Sequence, residues 1–236
     1  MPLSFLSTAA EPPRCIALIP AAGSGERMGG SIAKQYLDLA GRTLLEHAVA
    51  AFLAVDAIEL VLVVAAPDDG RAATLPGLAH PRVRVLPAGG ATRRDTVLAG
   101  LEALADVVRG DPWILVHDAA RPGVQPEQIL MMLETLDDEP VGGLLALPVT
   151  DTVKRVADDR VERTEPREAL WLAQTPQMFR LGLLREALSL HADVTDEAQA
   201  IERLQLRACV LPGSRANLKV TVPEDLALLR ALWAAR

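Results

Sequence analysis

The chain has 236 residues, enough for one α/β domain with a buried core, and half of them are hydrophobic with only 3% aromatic, so that core has to be built from Ala, Val, Leu and Ile. A formal charge of -7 gives no general attraction to nucleic acid or to an anionic membrane, so any anion site must be local. The longest apolar run, Ile58 to Ala66, is broken by Glu59 and falls far short of the ~20 residues of a membrane span, and Cys15 and Cys209 support neither a disulfide framework nor a cysteine zinc site.

Residues 1–13 (MPLSFLSTAAEPP) lack the basic start and long apolar stretch of a secretory signal, and read as a disordered tail on a domain spanning 14–236. A reducing, cytoplasmic setting fits the two small, strand-embedded cysteines. Cys15 to Pro20 reads as a buried strand that runs into a glycine-rich turn. From Thr43 to Leu53 the apolar residues fall at helical spacing. Ile58 to Ala65 and Val83 to Pro87 read as strands, and Thr96 to Val108 as a helix.

Trp113 to Val116 is the next strand, running into His117-Asp118-Ala119-Ala120-Arg121-Pro122, and Pro126 can open a helix carrying Ile129, Leu130, Leu133 and Leu136. Gly143 to Pro148 follows as a strand. The polar stretch around 150–167 alternates about Val153, Val156 and Val161 with a turn at Asp158-Asp159, which suits a protruding β-hairpin: a plain surface hairpin, or an arm that grips a partner subunit. Helices over Leu181 to Leu190 and Asp196 to Leu204, strands near Ala208 to Leu211 and Leu218 to Val220, and a helix from Pro223 complete the chain. Strands regularly separated by helices predict a single three-layer, Rossmann-like α/β domain with a mostly parallel central sheet, whose ligands bind beyond the carboxyl ends of the strands.

The chemistry concentrates directly after the first strand, in Pro20-Ala21-Ala22-Gly23-Ser24-Gly25-Glu26-Arg27-Met28-Gly29 followed by Lys34-Gln35-Tyr36. Small residues let backbone N–H groups approach a polyphosphate, while Arg27 and Lys34 supply charge. The segment is neither a Walker A loop nor a dinucleotide fingerprint. Asp118, just past a buried strand, is placed either to hold Mg²⁺ or to cap the next turn. His117 reads as a strand-end histidine satisfied by backbone rather than as a base. Arg167, between Pro166 and Glu168, reads by itself as a solvated arginine.

The first loop with its KQY, Gly89-Gly90 with Arg93, Asp95 and Thr96, VHDAARP at 116–122, DTVKR at 151–155, Thr175-Pro176-Gln177, Thr195-Asp196-Glu197, and NLKVT at 217–221 before Pro223-Glu224-Asp225 together resemble the 2-C-methyl-D-erythritol 4-phosphate cytidylyltransferases. The likeness runs in family order from about residue 15 to 232. It implies transfer of CMP from CTP to the polyol phosphate, with release of pyrophosphate, in non-mevalonate isoprenoid precursor synthesis. It also implies Mg²⁺ held by Asp118, and Arg27 and Lys34 as catalytic cations on the triphosphate.

The nucleotide would be bound by Pro20, Ala21, Ala22, Gly23, Ser24, Gly25, Gly89, Gly90, Arg93, Thr96, Ala119 and Lys219. The polyol phosphate would meet Arg121, Thr152, Arg167, Thr175, Thr195 and Lys219. Thr152 and Arg167 flank the hairpin arm, which in the family crosses to a second subunit, so a homodimer is expected. One departure is Ala91, where many members carry an acidic residue beside the base. A ribitol 5-phosphate cytidylyltransferase shares these motifs and stays open as the alternative. A nucleotide-binding regulator without turnover is disfavoured, because Arg27, Lys34, Asp118 and Lys219 are all present.

Overall fold

The computed structural model describes residues 14–23 and 32–235. The expected tail and the loop residues Ser24, Gly25 and Arg27 lie outside the described residues. In chain order the strands are β1 (Cys15–Ala21), β2 (Asp38–Leu39), β3 (Arg42–Thr43), β4 (Leu60–Ala65), β5 (Val83–Pro87), β6 (Trp113–Val116), β7 (Gly142–Pro148), β8 (Val153–Ala157), β9 (Arg160–Glu165), β10 (Trp171–Arg180) and β11 (Cys209–Pro212). The helices are α1 (Leu44–Leu53), α2 (Arg93–Ala105), α3 (Pro126–Leu136), α4 (Leu181–Leu190), α5 (Glu197–Arg203) and α6 (Pro223–Ala234).

Seven strands make one sheet in the order β11, β7, β10, β6, β1, β4, β5. Neighbours are parallel except at β10, which runs against both β6 and β7. Alternation along the strands divides the core into two layers. Ala17, Ile19, Val61, Val63 and Leu115 face α1 and α3, whereas Ile16, Leu18, Leu62, Val64 and Ile114 face α2, α4 and α5. Large side chains such as Phe52, Phe179 and Leu62 are fully buried, each stabilising by about 1.5–3 kcal/mol relative to exposure. A smaller cluster seats α6 through Leu226 and Leu229 against Leu39, Leu44, Ala120 and Val220.

Helix ends follow local chemistry. Thr43 and Glu46 form a reciprocal capping box at α1, with Thr43 N–H to Glu46 Oε2 at 2.8 Å and Glu46 N–H to Thr43 Oγ1 at 3.2 Å. Thr92 Oγ1 caps α2 by accepting the Asp95 N–H at 3.1 Å, and Asp196 Oδ1 caps α5 by accepting the Gln199 N–H at 3.0 Å. The Thr92 cap starts α2 at Arg93, three residues ahead of the helix start expected at Thr96, and it ends at Ala105, short of Val108.

One further expectation is corrected, and two features go beyond the sequence reading. Leu218 to Val220 is not a strand: it lies against the core as irregular chain, with the Val220 N–H bonded to Ala120 O at 2.9 Å. Leu130, one of the apolar residues that α3 carries, is exposed. The ten-residue β10 was not anticipated at all. Its middle carries a register shift between Ala173 and Gln177, a cis Thr175–Pro176 bond, and two buried glutamines, Gln174 and Gln177.

Residues 150–170 protrude as a hairpin whose turn residues Asp158 and Asp159 both have positive φ, the geometry of a tight two-residue turn. Val156 pairs with Val161, and both are more than half exposed. Exposed Leu170, Trp171 and Leu172 follow at the base. Among the described residues no helix is long and apolar enough to cross a membrane.

Candidate active site

From β1 the sheet grows through β4 and β5 on one side and through β6 on the other. This reversal opens a crevice beyond the carboxyl ends of β1 and β6, where open α/β sheets take their ligands. One wall is the backbone of Pro20 to Gly23. The buried carboxamide of Gln35 holds it by donating to Ala21 O at 2.8 Å and Gly23 O at 3.1 Å. Gln35 lies in a 3₁₀ turn, Lys34–Tyr36, which is anchored from behind by Tyr36 Oη donating to Asp69 Oδ2 at 2.6 Å. Lys34 is thereby carried to the mouth of the crevice.

The opposite lip is the segment before α2. A Cβ on Gly89 would lie 2.2 Å from Ala22 Cβ and 2.9 Å from Ala65 O, and one on Gly90 would lie 2.4 Å from Asp95 Cβ. Only glycine lets this strand end close against the first loop. The Gly90 N–H bonds Thr96 Oγ1 at 3.2 Å, and that hydroxyl donates to Thr92 O at 2.9 Å.

Asp118 forms the floor. Arg93 Nε meets its Oδ1 at 2.8 Å, while Lys219 Nζ and Arg121 Nε approach Oδ2 at 2.8 and 3.5 Å. Burial alone would raise its pKa, but Arg93, Lys219 and Arg121 overcome that and hold the carboxyl well below the usual carboxylate range. Arg93 also forks onto the buried Glu197, Nη1 to Oε1 at 2.7 Å and Nη2 to Oε2 at 2.9 Å. Three cations here face two carboxylates, and Lys34 adds further positive charge at the rim, which suits a polyanion.

His117 is fully buried, and its Nε2 lies 3.0 Å from Arg121 O, a group that only accepts. The proton is therefore on Nε2, and Nδ1 accepts the Thr175 hydroxyl at 3.0 Å. Burial pushes the imidazole down to about 4, so it is neutral near pH 7. It is a packing and hydrogen-bonding residue, set edge-on to Phe52.

A cavity of about 420 Å³ is lined by Pro20, Ala21, Ala22, Gly23, Lys34, Gly90, Arg93, Thr96, Asp118, Ala119 and Lys219. Gly89 packs just behind it. Ala91 lies on its wall without a side chain able to hydrogen-bond a base. An adjoining recess of about 170 Å³ shares Arg93, Asp118 and Lys219 and adds Arg121, Thr175 and Thr195. Arg121 spends Nη1 on Asn217 O at 2.8 Å and Nη2 on Ala173 O at 3.4 Å. Thr152 and Arg167 line neither space within this chain. They sit at the hairpin base, where Arg167 bonds Thr150 O. Gln35 and Glu197 were not singled out from sequence. Both stand inside motifs quoted from the sequence, Lys34-Gln35-Tyr36 and Thr195-Asp196-Glu197, without a role of their own there.

A family model described as 2-C-methyl-D-erythritol 4-phosphate cytidylyltransferase matches residues 15–234. The chain is 52% identical over 231 residues to the protein of that name from Burkholderia multivorans, covering 94% of this chain and 97% of the relative. It is 50% identical to the one from Dechloromonas aromatica, covering 95% and 99%. Among solved structures, a 4-diphosphocytidyl-2C-methyl-D-erythritol synthase superposes with a TM-score of 0.83 at 40% identity, covering 93% of this chain and 98% of that one. The Thermus thermophilus cytidylyltransferase superposes at 0.76 with 34% identity, covering 94% and 98%. With a cation-lined crevice at the switch point of its sheet and relatives aligned along nearly its whole length, the chain belongs to the 2-C-methyl-D-erythritol 4-phosphate cytidylyltransferase family of nucleotidyltransferases.

Proposed function

We propose that the two adjoining spaces divide the family's reaction between them, the larger taking CTP and the smaller the polyol phosphate. The protein transfers CMP from CTP to 2-C-methyl-D-erythritol 4-phosphate in non-mevalonate isoprenoid precursor synthesis, giving 4-diphosphocytidyl-2-C-methyl-D-erythritol and pyrophosphate. The observation that carries the division is the shared wall: Arg93, Asp118 and Lys219 border both spaces, where a phosphate of one substrate must attack the α-phosphorus of the other.

No covalent nucleophile is needed. The acceptor phosphate already carries the attacking oxygen, so the chain's task is to bring two polyanions together and stabilise charge passing to the leaving pyrophosphate. Lys34, at the rim beside the first loop, neutralises that charge. Arg27, outside the described residues, is assigned the same task by its place in the family's loop. Backbone groups of Ala21, Ala22 and Gly23, extended by Ser24 and Gly25, cradle phosphates, with Gly89, Gly90, Thr96 and Ala119 around the nucleoside. Arg121, Thr175, Thr195 and Lys219 receive the acceptor. Thr175 does so chiefly by shaping the recess, because its hydroxyl proton is committed to His117.

Among the described residues no group of three or more His, Cys, Asp or Glu converges, and Asp118 presents an ionised carboxylate on the cleft floor. One hard oxygen donor beside a phosphate site fits Mg²⁺, which takes one or two carboxylates and completes its shell with phosphate oxygens and water. Asp118 would hold that ion, which supplies charge neutralisation to the triphosphate when bound. The exposed apolar residues of the arm, Val156 and Val161, support a homodimer in which the partner's arm reaches the acceptor recess. Free thiols at Cys15 and Cys209 suit a reducing cytoplasm.

The test is pyrophosphate release with CTP and Mg²⁺, on methylerythritol 4-phosphate and ribitol 5-phosphate in parallel. Release with the first is expected. Preference for ribitol phosphate would move the assignment to the alternative acceptor, and release with neither would overturn the reading.

A further inference from the structure

We infer that Glu197 is a positioning residue for the transfer reaction, acting through Arg93 on Asp118. The inference rests on the functional reading above. Glu197 is the first residue of α5 and is completely buried. A carboxylate taken out of water must be paired, and both of its oxygens are given to the Arg93 guanidinium at 2.7 and 2.9 Å. A two-point fork fixes the plane of a guanidinium as well as its position. With the plane fixed, Nε is aimed at Asp118 Oδ1, which it meets at 2.8 Å.

Glu197 itself stands on a rigid seat. Gln177, in the middle of the sheet, accepts the Ala198 N–H at 2.8 Å and donates to Asp196 Oδ2 at 2.9 Å, pinning the start of α5 to β10. The chain Gln177, α5, Glu197, Arg93, Asp118 therefore transmits the sheet's rigidity to the cleft floor.

The two basic residues on Asp118 that face both spaces are held differently. Lys219 approaches Oδ2 on a flexible four-carbon stem and is about one-third exposed. It can turn from Asp118 to an arriving phosphate. Arg93 cannot follow without leaving Glu197 buried and uncompensated. Arg93 thus stays as the fixed partner that keeps Asp118 oriented while Lys219 turns to substrate. A purely structural ion pair would show itself in stability. A positioning residue shows itself in kcat, and only while Arg93 is present.

The experiment measures kcat and KM for CTP by pyrophosphate release, and melting by circular dichroism, for wild type, Glu197→Gln, Arg93→Met and the double variant. Glu197→Gln keeps the side chain's size and removes its charge. The expected result is a fall in kcat of about 10- to 100-fold with KM for CTP changed less than about threefold, and no further loss beyond about threefold when Glu197→Gln is added to Arg93→Met. A kcat for folded Glu197→Gln within about twofold of wild type overturns the inference, as does an equal loss in the Arg93→Met background. Should Glu197→Gln fail to fold, the double variant, which removes both buried charges, is compared with Arg93→Met alone: equality supports the inference and a further tenfold loss overturns it. Absence of release from wild type itself would overturn the functional reading and this inference with it.

Discussion

Thr175 Oγ1 accepts the backbone N–H of Asp118 at 3.1 Å across the antiparallel ladder of β10 and β6, while its own proton goes to Nδ1 of His117. The register explains the meeting: Gln177 pairs with Val116, so two residues back along β10 lies beside two residues forward along β6. The carboxylate on the cleft floor is thus positioned by a hydroxyl and an imidazole that are themselves closed to solvent.

That arrangement makes His117 a source of acid sensitivity. Its folded pKa is about 4 against an ordinary 6.5, so between those values the unfolded chain binds more protons and stability rises with pH. Read downward, stability is intact above about pH 6.5 and is lost as the pH falls toward 4, by on the order of 3 kcal/mol in total. Urea unfolding at pH 7 and pH 5 should show wild type losing about 2 kcal/mol from this group, and His117→Asn should lack that part of the slope. Equal slopes in the two proteins would show that His117 is not held neutral.

Lys34→Ala should leave folding unchanged and lower kcat by about 10²- to 10³-fold, the effect of removing a positioned charge from a developing anion. Lys34 is half-buried at the rim, and its neighbours Gln35 and Tyr36 carry the structural bonds of the turn. Circular dichroism and pyrophosphate release separate the two outcomes; a rate near wild type would remove Lys34 from the catalytic set.

Gly89→Ala should fail in a different way. The new methyl would lie 2.2 Å from Ala22 Cβ and 2.9 Å from Ala65 O, so the first loop and the Gly89 segment must part. Overpacking of this kind costs about 1–3 kcal/mol, and the displaced loop should raise KM for CTP along with it. A variant with unchanged melting and unchanged KM would mean that the two lips are not in contact in solution.

Much of this cleft was legible because its parts are local. The first loop and Asp118 each follow a short apolar strand whose end is marked directly by the change of residue type, whereas Gly89-Gly90 stood out only through the family resemblance. β10 was not legible: Pro176 argues against a central strand, and Gln174 and Gln177 break its apolar pattern. Both glutamines are tolerated because they are bonded across long separations, Gln174 to Ser214 and Gln177 to the start of α5. Glu197 was hidden for a related reason. An acidic residue in the first turn of a helix reads as a response to the helix dipole, and its partner Arg93 lies 104 residues away. In the same way Leu218 to Val220 looks strand-like, although its apolar ends serve the α6 cluster.

The arm supplies the last prediction. Thr152 and Arg167 lie at the base of the β8–β9 hairpin, outside both spaces of the cleft in their own chain, while Val156 and Val161 present apolar surface that one chain leaves uncovered. If Arg167 serves the acceptor recess of a second subunit, Lys34→Ala and Arg167→Ala fall together in the same site of a mixed dimer. Each hybrid then keeps one site with both residues intact, on the active-site half contributed by the Arg167→Ala chain. Random reassortment of equal amounts makes half of the dimers hybrids, so about a quarter of wild-type activity should return on mixing two nearly inactive proteins. Reassortment can be driven by mild denaturant and followed by differently sized tags. Hybrids that form without any return of activity would place Arg167 in its own subunit's chemistry and leave the arm a structural clasp.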